Sequence, residues 1–312
     1  MPLGAIGRKF SQNPIRTLGK DQVFTSGITT VTASSTTYNY TGSSQTFSLP
    51  GSGVSVPSTG ILRKNVSAYS LQMEIKAWGA AGGGGSSNCF GSNNYNGGNG
   101  GYVDAIKPIS GSGQVIGNLK SIGATALIVP SAETSTTYYV VVGQGGSFQG
   151  GPTFGGGGGT PGGRETKSGG GASWVANTYP TTSAPQLYVV AGGGGGAGRT
   201  PGGSGGPGAG GGSFLSGSGG AGPDGSGGGS GYTGGGPGFT DGGDCRGGGG
   251  GGGSSYVSGT FTTLFDGIQP NPGNSPTTVP WNSDPDYGSS AGQGNNSTTG
   301  GNGRVVIKVT YS

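Results

Sequence analysis

The chain has no histidine, two cysteines and two methionines, and Lys, Arg, Asp and Glu together make up only 8% of its 312 residues. The missing histidine removes the commonest general base and metal ligand. Serine and threonine are abundant but have no partner base in view, and the cysteines have none either. We therefore expect no enzyme, no catalytic residue and no cofactor. Cys89 and Cys245 sit far apart in glycine-rich stretches. They are either two free thiols, as in a reducing cytosol, or one disulfide formed in an oxidising medium. No apolar run approaches the ~20 residues that span a bilayer, so no membrane span is expected. The opening "MPLGAIGRKF" lacks the apolar stretch of a secretory signal, so none is expected there. Helix signals are nearly absent as well, because no stretch of useful length repeats apolar residues at three and four without Gly or Pro.

What the chain does have is glycine: 82 residues of 312, several times the ordinary share of about 7%. There is no Gly-X-Y period, which excludes collagen. Composition alone points to disorder, and ordering so much glycine is entropically costly. We expect order nonetheless, held by dense contacts that include contacts with other chains.

The reason is a set of short alternating segments. "TTYNY", "QTFSLP", "LQMEIKAW", "GYVDAIKPI", "ALIV", "TYYVVVG", "ASWVA", "QLYVVA", "SSYVSGTF" and "GRVVIKVTYS" read as strands. In "LQMEIKAW", Leu71, Met73, Ile75 and Ala77 share one face, with Gln72, Glu74, Lys76 and Trp78 on the other. Ten such strands predict an all-β antiparallel sandwich or jelly roll. Trp78 and Trp174 are expected in the core or at the edge of a glycine bundle.

Several strands run directly into glycine, as in "AWGAAGGGG" and "QLYVVAGGGGG". Polyproline-II geometry has three residues per turn and no internal hydrogen bonds, so each rod needs neighbours for its backbone groups. Side chains keep such rods apart, and glycine lets them touch. We expect a bundle of polyglycine helices whose register is fixed by the strands. The run Gly247–Gly253 would span roughly 22 Å at ~3.1 Å per residue. Pro161, Pro201, Pro207, Pro223 and Pro237 lie within the tracts, where a fixed φ near −65° suits this geometry.

The ordered series "YNYTGSSQTFSLP", "MEIKAWGAAGGGG", "GGNGGYVDA", "YYVVVGQGG", "QLYVVAGGGGGAG", "GGGGGGGSSYV" and "GGNGRVVIKVTY" resembles the glycine-rich domain found in anaplastic lymphoma kinase-type receptors. It also resembles the polyglycine-helix proteins of phage and virus fibres. The resemblance covers about residues 36–312 and implies a tumour-necrosis-factor-like sandwich carrying a polyglycine bundle. The receptor's extra cysteines, signal and membrane span are missing here, which turns the expectation towards the bacterial, phage and viral relatives.

Residues 1–35 fall outside the resemblance. Residues 1–64 hold six basic groups and one acid, a net +5, and the remaining 248 residues net −1. Four basic groups, Arg8, Lys9, Arg16 and Lys20, with Phe10 among them, are too sparse for a nucleic-acid pattern. The segment reads as an extended anchoring arm, and 36–312 as the glycine-rich domain.

Two carboxylate pairs, Asp241/Asp244 and Asp284/Asp286, could offer oxygen ligands to Ca²⁺. Turn-forming aspartates beside Gly and Pro are the plainer reading, so no metal is expected. The glycine strings lack the GKS/GKT and following helix of a phosphate loop. The stretch Phe261–Ser290 reads as a long loop on a rigid scaffold, where binding residues concentrate. Its Phe265, Trp281, Asp284, Asp286 and Tyr287 form an aromatic-and-acid set suited to sugar or protein contact, or alternatively to capping the bundle or sealing a subunit contact. These features imply a virion structural protein, a phage tail-fibre, spike or surface-decoration subunit. It would be anchored to other virion proteins by the arm, homo-oligomeric (a trimer is one form), and in contact with a host glycan or protein. The alternative is a free-standing secreted ice- or glycan-binding protein.

Overall fold

The computed structural model describes residues 34–48, 61–86, 94–118, 127–130, 137–160, 166–181, 186–200, 213–221, 224–239, 247–267, 283–294 and 299–311, together with 183, 202, 203 and 205. The arm residues Arg8, Lys9, Phe10, Arg16 and Lys20 lie outside them, as do Cys89, Asp241, Asp244, Cys245 and Trp281. Among the described residues there is no α-helix, and none is long and apolar enough to cross a membrane.

The described residues form strands β1 (Ser34–Asn39), β2 (Gln45–Ser48), β3 (Ile61–Trp78), β4 (Gly85–Ser86), β5 (Asn94–Tyr95), β6 (Tyr102–Asn118) and β7 (Leu127–Pro130). They continue with β8 (Thr137–Val141), β9 (Ser173–Ala176), β10 (Leu187–Ala191), β11 (Tyr256–Val257), β12 (Thr262–Gly267) and β13 (Arg304–Tyr311). One antiparallel sheet runs β1-β13-β3-β6-β12, with β7 also on β6. The second runs β11-β10-β9-β8-β2, and β4 pairs with β5 alone. Each of the ten segments read as strands contains a strand among its described residues, although "SSYVSGTF" is strand only at Tyr256–Val257. β12 was not anticipated, because it lies in the stretch read as a loop. A bulge between Thr263 and Phe265 breaks its alternation and leaves Leu264 exposed.

The alternation of each strand decides what it buries. Met73, Ile75 and Ala77 of β3, Val103 and Ala105 of β6, and Val305, Ile307 and Val309 of β13 point one way. They meet Phe47, Tyr138, Val140, Val175 and Val189 of the second sheet in one core. The opposite face of the second sheet is apolar too: Val141, Trp174, Leu187 and Val190 are buried under Phe154, Phe214, Leu215 and Tyr232, all from the glycine-rich stretches. The glycine stretches therefore cover this sheet and take part in its burial.

Their backbone bonding has a period of three. Gly79 and Gly82 donate to Gly101 and Gly98, Ala80 and Gly83 donate to Gly171 and Ser168, and Ala81 donates to Gly301. Gly248, Gly251 and Ser254 donate to Phe239, Gly236 and Thr233, while Gly250 and Gly253 donate to Gly196 and Gly193. Each segment thus addresses a different neighbour with each successive residue and returns to the first after three. Packing is correspondingly close. A Cβ on Gly82 would lie 2.0 Å from Gly195 O, one on Gly195 2.0 Å from Gly250 O, and one on Gly250 2.2 Å from Gly227 O. These four glycines do not have a positive φ, so room and not left-handed backbone selects them. Small side chains enter this packing: buried Ala80, Ala81 and Ala197 bring only a methyl group, and the buried serines are hydrogen-bonded. Buried Ser226 donates to Ala197 O at 2.7 Å, and buried Ser168 accepts from Ser147 N at 2.8 Å. Lys167 is the large exception, fully buried with its ammonium 5.7 Å from the Phe148 ring centre.

Candidate functional site

The outward face of the first sheet is built by the residues that alternate with the core set. Register places Lys76 of β3 opposite Asp104 of β6 and Val306 of β13, Glu74 opposite Lys308, and Trp78 opposite Tyr102. Phe265 of β12 stands opposite Asp104. Left open, this face would expose two large aromatic rings and a row of charges. The turn from residue 283 to residue 294 folds over it.

Two aspartates hold that turn down. Asp284 accepts from Lys76 Nζ at 2.8 Å and from the Tyr102 hydroxyl at 3.1 Å. Its other oxygen accepts from the backbone N–H of Asp286 at 2.8 Å, which closes the turn locally. Asp286 accepts from Lys76 Nζ at 3.0 Å and forms a short ion pair with Lys308. Lys76 and Asp284 are both buried. Tyr287 then packs edge-on against Trp78 at 6.2 Å, Trp78 lies 4.7 Å from Tyr102, and Tyr102 lies 5.5 Å from Phe265. Trp78, Tyr102, Tyr287, Ala291 and Val306 make a second small core on this face.

The electrostatics follow from burial and pairing. Burial works against the Lys76 ammonium, but hydrogen bonds to Asp284 and Asp286 outweigh it and raise its pKa. Burial likewise pushes Asp286 up, and the bonds from Lys308 and Lys76 overcome it, leaving the carboxyl below its usual range. Asp104 is pushed up to about 6, chiefly by burial and then by the charge of Glu74. One of its oxygens is buried without a hydrogen-bond partner. Tyr287 is raised to about 12 by burial. Among the described residues no group of three or more acidic, cysteine or histidine side chains is placed to hold a metal.

Four of the five residues singled out by sequence come together here: Phe265, Asp284, Asp286 and Tyr287. Lys76, Tyr102 and Lys308 complete the cluster and were not singled out. Alternation places Lys76 and Tyr102 away from the main core, but it does not announce a partner more than 180 residues away. Chemically, the cluster is a charged clamp with its carboxylates already engaged, and it fixes the shape of the turn beyond it. No protein-family model and no curated protein matches the chain.

Proposed function

We propose that the chain is a virion structural protein, a phage tail-fibre, spike or surface-decoration subunit that contacts the host surface. The observation that carries this reading is the three-residue period of the glycine hydrogen bonds. We read it as polyproline-II rods bonded laterally in a bundle, set beneath a jelly roll of tumour-necrosis-factor-like type. Such a bundle has almost no side-chain chemistry, and its density makes it a rigid mount. A mount of this kind suits a protein whose work is mechanical and whose specificity lies in the turns it carries. The part of the 1–35 arm that precedes β1 would join the subunit to other virion proteins, a homo-oligomer such as a trimer would form the assembled unit, and a host glycan or protein would be the outward partner. Neither an activity nor a cofactor is part of this reading.

Peptide mapping of purified particles and their fractions tests it. The chain is expected in the particle at a fixed stoichiometry to the other structural proteins. A chain found only outside particles, as a monodisperse monomer, would overturn the reading in favour of a free-standing secreted binder.

A further inference from the structure

On the far side of the clamped turn, between the end of β1 and the start of β13, lies a cavity of about 270 Å³. Asn39, Tyr40, Ser289, Ser290, Asn302 and Arg304 contribute most of its wall, and every one carries a hydrogen-bonding group. The asparagines and serines are exposed at its mouth, and Arg304 is half-buried. The volume falls just below the usual range for ligand pockets, roughly 300–1,000 Å³, which suits a single sugar ring.

Among the described residues, two buried donors of the lining side chains have no acceptor: Arg304 Nε and the Tyr287 hydroxyl. Among the described residues the guanidinium is held on one side, with Nη1 donating to Asn39 Oδ1 at 3.2 Å. No carboxylate among the described residues pairs with it, whereas Lys76 and Lys308 on the same face are both paired. The turn is also shaped around this cation. Gly288 has φ +71°, and a Cβ there would lie 2.8 Å from Arg304 Nη1. A buried donor without a partner is costly, and a guanidinium fork is matched best by a carboxylate taken in bidentate fashion.

We propose that this cavity binds a carboxylate-bearing sugar, the acidic unit of a surface polysaccharide. The Arg304 guanidinium takes the carboxylate, Asn39, Asn302 and the two serines meet the hydroxyls, and Tyr40 offers a ring to the sugar's apolar face. The assignment rests on the host-surface reading above and gives that surface a chemistry.

Ligand-observed NMR titration of the full chain with glucuronate, glucose and inorganic sulfate tests it. Glucuronate is expected to bind at least about tenfold more tightly than glucose, and Arg304→Gln to remove that margin, as the loss of one charge-assisted hydrogen-bond pair implies. Ser289→Trp, on an exposed turn position, fills the mouth and should abolish binding. It decides the matter if Arg304→Gln disturbs the start of β13. No glucuronate response, equal binding of glucose, binding unchanged in Ser289→Trp, or sulfate binding as tightly as glucuronate would each overturn the proposal. Particle association is a separate measurement. A particle-borne chain that ignores glucuronate defeats the cavity alone, and a glucuronate-binding chain absent from particles defeats the virion reading alone.

Discussion

A methyl group on Gly195 would sit 2.0 Å from the carbonyl oxygen of Gly250, whereas one on Gly236 would meet nothing within 4 Å. The obstacle at Gly195 is backbone that is itself bonded, so it has nowhere to yield. Gly195→Ala should cost more than the ~1–3 kcal/mol of ordinary overpacking and leave the chain insoluble or unfolded. Gly236→Ala should melt within a few degrees of the parent. Soluble, cooperatively melting Gly195→Ala protein would show that the close approach is not obligatory. A second prediction concerns Asp104, which faces Glu74, Lys76, Asp284 and Lys308 with a carboxyl raised to about 6. A raised acid destabilises the fold once ionised. The penalty is absent below the unfolded value of about 3.9 and complete above about pH 6. Asp104→Asn should therefore stabilise the protein by about 1 kcal/mol near pH 8, after allowance for screening, and do nothing near pH 4. Denaturant midpoints at the two pH values measure this, and a gain at the acid end alone would reverse the assignment.

At the scale of elements, the turn from residue 283 to residue 294 has no strand of its own. It is held through Lys76, Lys308 and Tyr102. Removing one partner of a buried ion pair leaves the other charge stranded, at about 3–5 kcal/mol, while replacing both by apolar groups can be neutral. Lys76→Met should lower the melting temperature and open this turn to limited proteolysis, and Lys76→Met with Asp284→Leu should recover much of the stability. Equal damage from the single and double variants would mean that the pair contributes little beyond its volume. The strands themselves were legible in the sequence because period-two alternation is a local property. β12 was not, because its bulge interrupts that alternation at Leu264.

At the scale of the molecule, β1 pairs with β13 from Ser34↔Val309 to Asn39↔Arg304, so the two ends of the described chain close one sheet edge. A truncation that stops short of Ser34 spares this edge, and one that passes Asn39 uncovers β13. Deleting residues 1–33 should leave the melting temperature unchanged while abolishing incorporation into particles. Deleting residues 1–39 should also lower the melting temperature by several degrees, since an edge strand and its hydrogen bonds are lost. Normal incorporation of the shorter deletion would place the anchor elsewhere.

The all-β class, the faces of the strands and the need for glycine where backbone meets backbone were legible in the residue pattern alone. Each of these depends on the repeat of residue types along a few neighbouring positions, as Met73, Ile75 and Ala77 show against Glu74, Lys76 and Trp78. Which glycine segment lies beside which emerges from the three-dimensional packing, since one run of glycine is chemically identical to another. The strands at their ends set that choice. The packing also decided that Asp284 and Asp286 turn inward to Lys76 and Lys308, and that Arg304 lines a cavity with no carboxylate among the described residues beside it. Charges separated by more than 200 residues meet only when two sheets, a bulged strand and a turn have fixed the distance between them, and no local pattern records that distance.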